Sequence, residues 1–587
     1  MANKNIILIS VILVFFILPA TEARVIELFP SNADSSCNEE FENVANTLQP
    51  GDELVLHGGI YTQNCRRAIS AKGTLSQPIT IRAAAGEFPI LTRPANNIDT
   101  QNNIEIDSSS YIIIRGIKFK GGSTGVRFIN FNHNITLDGL EISDTGNNAI
   151  AINSGNADSM MFINNHIHDT GKSSGSTEGE GMYIGCNDNA CRVTNSIFAN
   201  NYIHHLRGTS SGGNDGIEVK VGSYNNIVRD NVIHDTTIGT RYPCIFVYGG
   251  GSRVNIVEGN VVWNCGEAIQ VQADAIIRNN IIFNSDVGIT LSPHAQVANM
   301  RNVEIVGNTI YGHSQECMYI RWSSATNMTV ANNAIYCPGA TAIDASGISG
   351  STIRFRSNYA QGAMTGASID NSRFFDGGNA AAAFVNPSSM DFWPKAESVL
   401  AGKGDAAYAT AKDFNGAVRT SLYDVGAYET EGLASNPGWK ITGGFKGNTG
   451  TPSGDCTTLA GFASPCNNNV PVLTLTNAAV SGSNVSFNVN VNLPSSPVNA
   501  IYATGYYFSS TQNQWIQFTM TGTPYPGTDG STWLTNTASK SLSVPTSAAS
   551  VGVVYVVVWE YTYVNNNWVP PSCSNAAGCW RLATYQI

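Results

Sequence analysis

Residues 213–220 read GNDGIEVK, which sets Asp215, Glu218 and Lys220 within six residues. Two acids and an amine at that spacing can hold a hard cation and move a proton. Carboxylate oxygens are the ligands Ca2+ prefers, and a lysine whose ammonium is disfavoured by burial or nearby positive charge becomes a base. Glu180, in EGEGMYIG, offers a further oxygen ligand. The plainer alternative is a solvated Glu218–Lys220 pair contributing under about 1 kcal/mol, with Asp215 a turn residue ahead of Gly216.

What would position such a group is a repeat. The phrases NIVRDNVIHD, NIVEGNVVWN, AIIRNNIIFN and MTVANNAIYC recur, with a central Asn at 165, 201, 231, 260, 280, 308 and 333, a period of 20 to 36 residues. Each copy is too short to bury its own apolar face, so copies must stack as a solenoid. Stacked strands lie about 4.8 Å apart, and a column of Asn can then hydrogen-bond along the axis instead of being buried unpaired. This predicts an all-β chain, a right-handed parallel β-helix.

A second column aligns on Ile150, Met182, Ile217, Ile245, Ile269, Ile289, Met318 and Ile343. Alternation turns Ile217 and Val219 inward, and Glu218 and Lys220 outward. The same count sends Tyr183, Phe246, Tyr248, Gln270, Gln272, Tyr319 and Arg321 outward. Aromatic faces interleaved with amides suit sugar rings, which makes these the expected substrate-binding strip. Arg241, just before the next coil, is the expected leaving-group acid or carboxylate clamp. An inverting hydrolase needs carboxylates about 6.5–9.5 Å apart, and Glu180 with Asp215 or Glu218 is the candidate pair.

The chain of 587 residues opens with one Lys, an apolar run and small residues, the pattern of a secretory signal over 1–23. Twelve Cys, several in local pairs such as Cys186 and Cys191, Cys456 and Cys466, or Cys573 and Cys579, fit disulfides in an exported protein. A net charge of −11 argues against nucleic acid as a partner. The expectation is a secreted or cell-surface protein, monomeric, without a membrane span once the signal is removed, whose partner is an extracellular polysaccharide. The β-helix is expected over 24–433 and a linker over 434–455. A β-sandwich is expected over 456–587, where strands alternate at period two and five of nine Trp lie. It reads as a carbohydrate-binding or attachment module. His168 and His234, in recurring IHD phrases, read as hydrogen bonders at coil corners, and Asp413, Arg419 and Asp424 as structural.

The stretches LQPGDELVLHGGIYTQN and AKGTLSQPITIRAAAGEFPIL resemble the entry of secreted β-helix proteins, especially the polysaccharide lyase family of chondroitinase B and certain alginate lyases. NDGIEVKVGSYNN resembles the D-G-x-x-x-K segment of calcium-dependent pectate lyases, which implies that Asp215 is a metal ligand. The resemblance implies a calcium-dependent lyase cleaving a uronic-acid polymer by β-elimination. In that scheme Glu180, Asp215 and Glu218 hold the ion and Lys220 is the base. The chain departs from the pectate lyases where TRYPCIFVYG and GEAIQVQ replace their further acids and lysine. A non-catalytic polysaccharide-binding protein and a β-helix glycoside hydrolase are the competing readings.

Overall fold

The computed structural model describes residues 23–30, 40–62, 66–93, 101–173, 178–208, 213–236 and 241–447, and strand backbones between Val472 and Gln586. The expected signal, 1–23, falls almost wholly outside the described residues, as do the expected pairs Cys456 with Cys466 and Cys573 with Cys579.

From Val25 to Asp376 every paired strand in the two large sheets runs parallel to its neighbours. One coil is Ile217–Val219, Ile227–Arg229 and Val232–Thr236; the next is Pro243–Val247, Asn255–Glu258 and Val261–Trp263. Residue pairs with residue in register on all three faces: Ile217 with Ile245, Ile227 with Ile256, Val232 with Val261. This is the right-handed parallel β-helix the repeat predicts. Ile217, Val219, Val228 and Ile233 are fully buried inside it.

The Asn column closes as an axial ladder. Asn165, Asn201, Asn231, Asn260, Asn280, Asn308 and Asn333 each donate Nδ2 to the Oδ1 of the next at 2.9–3.0 Å, ending on Asn358. The residue ahead of each ladder Asn carries φ between 47° and 65°, as at Asn164, Asp230, Gly259 and Ser357. Left-handed backbone is tolerated by Gly, Asn and Asp, which is why the repeat reads NN, DN or GN at this corner.

The first end of the stack is covered by the helix Glu40–Ala45, which buries Phe41 and Ala45. Against the side of the later coils, Arg419 donates to the carbonyls of Asp424, Tyr428 and Gly426 and to Glu429. Asp413 accepts from the amides of Asn415, Ala417 and Glu429, so this closing segment is structural, as the sequence suggests. The part of the expected linker that is described lies on the stack: Lys446 Nζ donates to Asp230 and to the carbonyls of Gly259 and Phe414. Phe384–Asn386 pairs antiparallel with Asp391–Pro394, and the strands from Val472 onward form two antiparallel sheets of three and six strands. Disulfides join Cys186 to Cys191, Cys244 to Cys265 and Cys317 to Cys337. Among the described residues no helix is long and apolar enough to cross a membrane.

Candidate functional site

On the outward face of one sheet, Glu180 and Asp215 end the loops that lead into Met182–Ile184 and Ile217–Val219. A glycine follows each acid. A Cβ on Gly181 would come within 2.5 Å of the Gly216 carbonyl, and one on Gly216 within 2.4 Å of the Cys244 carbonyl, so only glycine lets these coils close. Gly213 matters for another reason, since a Cβ there would sit 1.7 Å from Glu180 Oε1. The missing side chain makes room for the carboxylate.

The outcome is a triad. Oxygens of Glu180, Asp215 and Glu218 all lie within 4.8 Å of one another. The three residues are 2%, 3% and 4% exposed. Lys220 Nζ donates to Glu218 Oε1 at 2.6 Å and lies 4.5 Å from the Tyr183 ring centroid and 4.7 Å from that of Tyr248. The ammonium is thus held between two aromatic faces and one carboxylate.

The solvated ion pair is therefore corrected. Glu218 and Lys220 point outward as alternation requires, but the face is roofed at this place. Phe246 and Tyr248 stack at 4.0 Å and are buried with Val221, Ala273 and Val297. Val297 belongs to a turn after the strand Val287–Leu291, and His294 of the same turn sets its ring edge-on to Tyr248 at 4.9 Å. Gln296 accepts from the Asp188 amide at 2.8 Å and donates to Asn187 at 3.3 Å. The turn thereby clasps the loop closed by the Cys186–Cys191 bridge. His294 and Gln296 escape a sequence reading because their partners, Tyr248 and Asp188, lie on distant coils.

Burial, and then the charge of Glu218, lifts the Glu180 carboxyl to about 8. Asp215 is raised well above the carboxylate range by burial and by Glu218 and Glu180, against the pull of Lys220. Glu218 is raised by burial, with Lys220 opposing. Burial also holds the Tyr183 and Tyr248 phenols protonated, with the Glu218 charge adding to it. Asp215 Oδ1 and Glu218 Oε2 are buried without a partner in the structure. Hard oxygens that are crowded, desolvated and unpaired fit a cation such as Ca2+.

The other expected residues are distributed along the face. Tyr183, Glu218, Phe246, Gln270, Thr290, Tyr319 and Asp344 form one register column. Tyr319 and Arg321 lie four coils beyond Glu218, about 19 Å along the axis. There Arg321 is stacked on Tyr319 and bonded to Asp344 at 2.6 Å. Arg241 goes elsewhere: its Nε faces Glu267 at 3.6 Å and its Nη1 donates to Gln315. On another face, His168 and His234 each bond the following Asp, as expected, and also stack on either side of His204 at 5.3 Å.

Residues 102–274 and 203–335 match the family described as right handed beta helix region. No curated protein matches the chain. Among solved structures, an alginate lyase from a Paenibacillus species is 20% identical, covering 58% of this chain and 99% of its own at a TM-score of 0.37. A mannuronic acid specific polysaccharide family 6 lyase from human gut microbiota is 14% identical, covering 62% and 93% at 0.33. The mannuronan C-5 epimerase AlgE4 A-module of Azotobacter vinelandii is 12% identical, covering 56% and 91% at 0.35. At these scores the likenesses carry no argument about activity.

Proposed function

We propose that this exported β-helix protein is a calcium-dependent lyase, cleaving a uronic-acid polysaccharide by β-elimination at the Glu180–Asp215–Glu218 triad. The observation that carries the reading is the meeting of three buried carboxylates, two with unpaired oxygens, and one lysine amine at a single spot on a sheet face. Glu180, Asp215 and Glu218 would hold the ion. When bound, it would neutralise the uronate carboxylate and so acidify the C5 hydrogen.

The chain's own groups supply the rest. Lys220 is the base: a nitrogen lone pair takes the C5 proton, the C4–C5 double bond forms and the C4–O bond breaks. That demands a neutral amine, so Lys220 must first give up its bond to Glu218, which a Glu218 engaged with the cation would release. The departing oxygen needs a proton. Arg241 is committed to Glu267 and Gln315, so the Tyr183 and Tyr248 phenols, kept protonated beside Lys220, are better placed to donate it. Phe246 and Tyr248, buried with Val297, are not open to a sugar ring as the alternation suggests, and the C-terminal strands serve as a binding or attachment module.

Pectate, alginate and glycosaminoglycans are the trial substrates, with ultraviolet absorbance of the unsaturated product as readout. Activity is expected on at least one and is expected to vanish in EDTA. Lys220→Ala should lower turnover about 10²–10⁴-fold while polymer binding survives. Near-normal turnover in that variant would remove Lys220 as base. Polymer retained without any cleavage would favour a binding protein instead.

A further inference from the structure

The polar floor of the site continues past Tyr248. Two strand spacings beyond the Asp215 coil, about 10 Å along the axis, Glu267, Gln270 and Gln272 occupy the register positions of Asp215, Glu218 and Lys220. The first acid is kept. The second acid and the amine become amides.

Gln272 is fully buried, and neither its Oε1 nor its Nε2 has a partner in the structure. Leaving a buried amide unpaired is unfavourable, so both atoms would gain from a ligand group that donates and accepts. Glu267 is likewise buried with Oε2 unpaired, and Glu316 stands two coils further on in the same column. Burial raises the Glu267 carboxyl to about 7, with Arg241 opposing and Glu316 adding to it. A uronate carboxylate arriving here would face these two acids, and Arg241 is already paired. A hydroxyl or acetamido group would instead bond Gln272 on both atoms.

We infer that Glu267, Gln270 and Gln272 form a second subsite, which takes an uncharged sugar. With an acidic unit at the triad, the preferred polymer alternates acidic and neutral sugars, one disaccharide spanning two coils, and is not a continuous polyuronate. This rests on the triad being a carbohydrate site.

Affinity electrophoresis compares gels carrying alginate, a continuous uronate, with gels carrying hyaluronan, unsulfated chondroitin or heparosan, which alternate uronate and N-acetylhexosamine. At least one alternating polymer is expected to bind about tenfold or more tightly than alginate, the worth of roughly one well-made hydrogen-bonded contact. Gln272→Ala should erase that preference by weakening the alternating polymer alone. Gln272→Lys, which sets an ammonium at this position, should shift the preference toward alginate. Unfolding midpoints of both variants close to the parent's separate lost contact from lost fold. If alginate binds as tightly as the others, or Gln272→Ala weakens all polymers alike, the subsite is overturned and the triad reading stands. If no polymer retards the protein, both fall.

Discussion

Glu180 shows how far the chemistry of a side chain is set by its neighbours on other coils. Folding turns an ordinary carboxyl into one that titrates near 8, by burial first and the Glu218 charge second. Between about pH 5 and pH 8 the folded protein therefore keeps a proton that the unfolded chain has released. The contribution of this carboxyl to stability falls as pH rises through that window, whereas the histidines that burial keeps neutral, His166, His204 and His313, act the other way below about 6.5. Asp215 and Glu218 shift in the same direction and add to the fall. A cation that takes the place of the protons reverses it. Thermal unfolding in EDTA is expected to show a lower midpoint at pH 8 than at pH 7, where the histidines no longer contribute, and added calcium should raise the midpoint more at pH 8. A midpoint in EDTA that ignores pH would show the carboxyls are not coupled to folding in this way.

A single coil carries few interactions of its own, and the Asn ladder is what makes its corner specific. Asn231 donates to Asn260 Oδ1 and to the Phe198 carbonyl at 2.9 Å, and accepts from the amide and Nδ2 of Asn201. Asn231→Ala would strand buried partners on both adjacent coils, costing about 2–4 kcal/mol. Asn225→Gly, at a left-handed corner with φ 56° that glycine tolerates, should cost far less because water replaces its bond to Asn195. Denaturant midpoints of the two variants make the comparison, and equal losses would deny the ladder its role. This level was legible in the sequence. The spacing of Asn231, Asn260 and Asn280 sets the period, and the alternation about Ile217 sets which side chains face in. The burial of Lys220 was not legible, because the roof over it comes from His294 and Val297, which strand alternation cannot foresee. Glu267 was within reach, since counting back two residues from Ile269 puts it in the Asp215 column. Its type hides it, because the resemblance to the pectate lyases directs attention to a lysine on this coil.

At the scale of the molecule, a stack whose coils pass the same hydrogen bonds onward has no intrinsic end, so its ends must be covered. The helix Glu40–Ala45 covers one with Phe41 and Ala45. Phe384, Phe392, Trp393 and Tyr428 gather with Val261, Phe283 and Tyr336 in one buried cluster, so residues 380–430 cover the outer side of the later coils. Deleting residues 380–430 should expose that surface and drive self-association, seen as a shift to large species in size-exclusion chromatography; a monodisperse product of the shortened length would contradict it. The clasp between Gln296 and the Cys186–Cys191 loop has a separate consequence. It ties together coils that are not neighbours, with the coils of Ile217, Ile245 and Ile269 between them. Gaining or losing one of these would slide His294 about 5 Å along the axis and off Tyr248. Elsewhere the repeat can drift in length as genes duplicate and lose segments. Across this span the coil count is a ruler that descendants of the protein cannot change without remaking the roof.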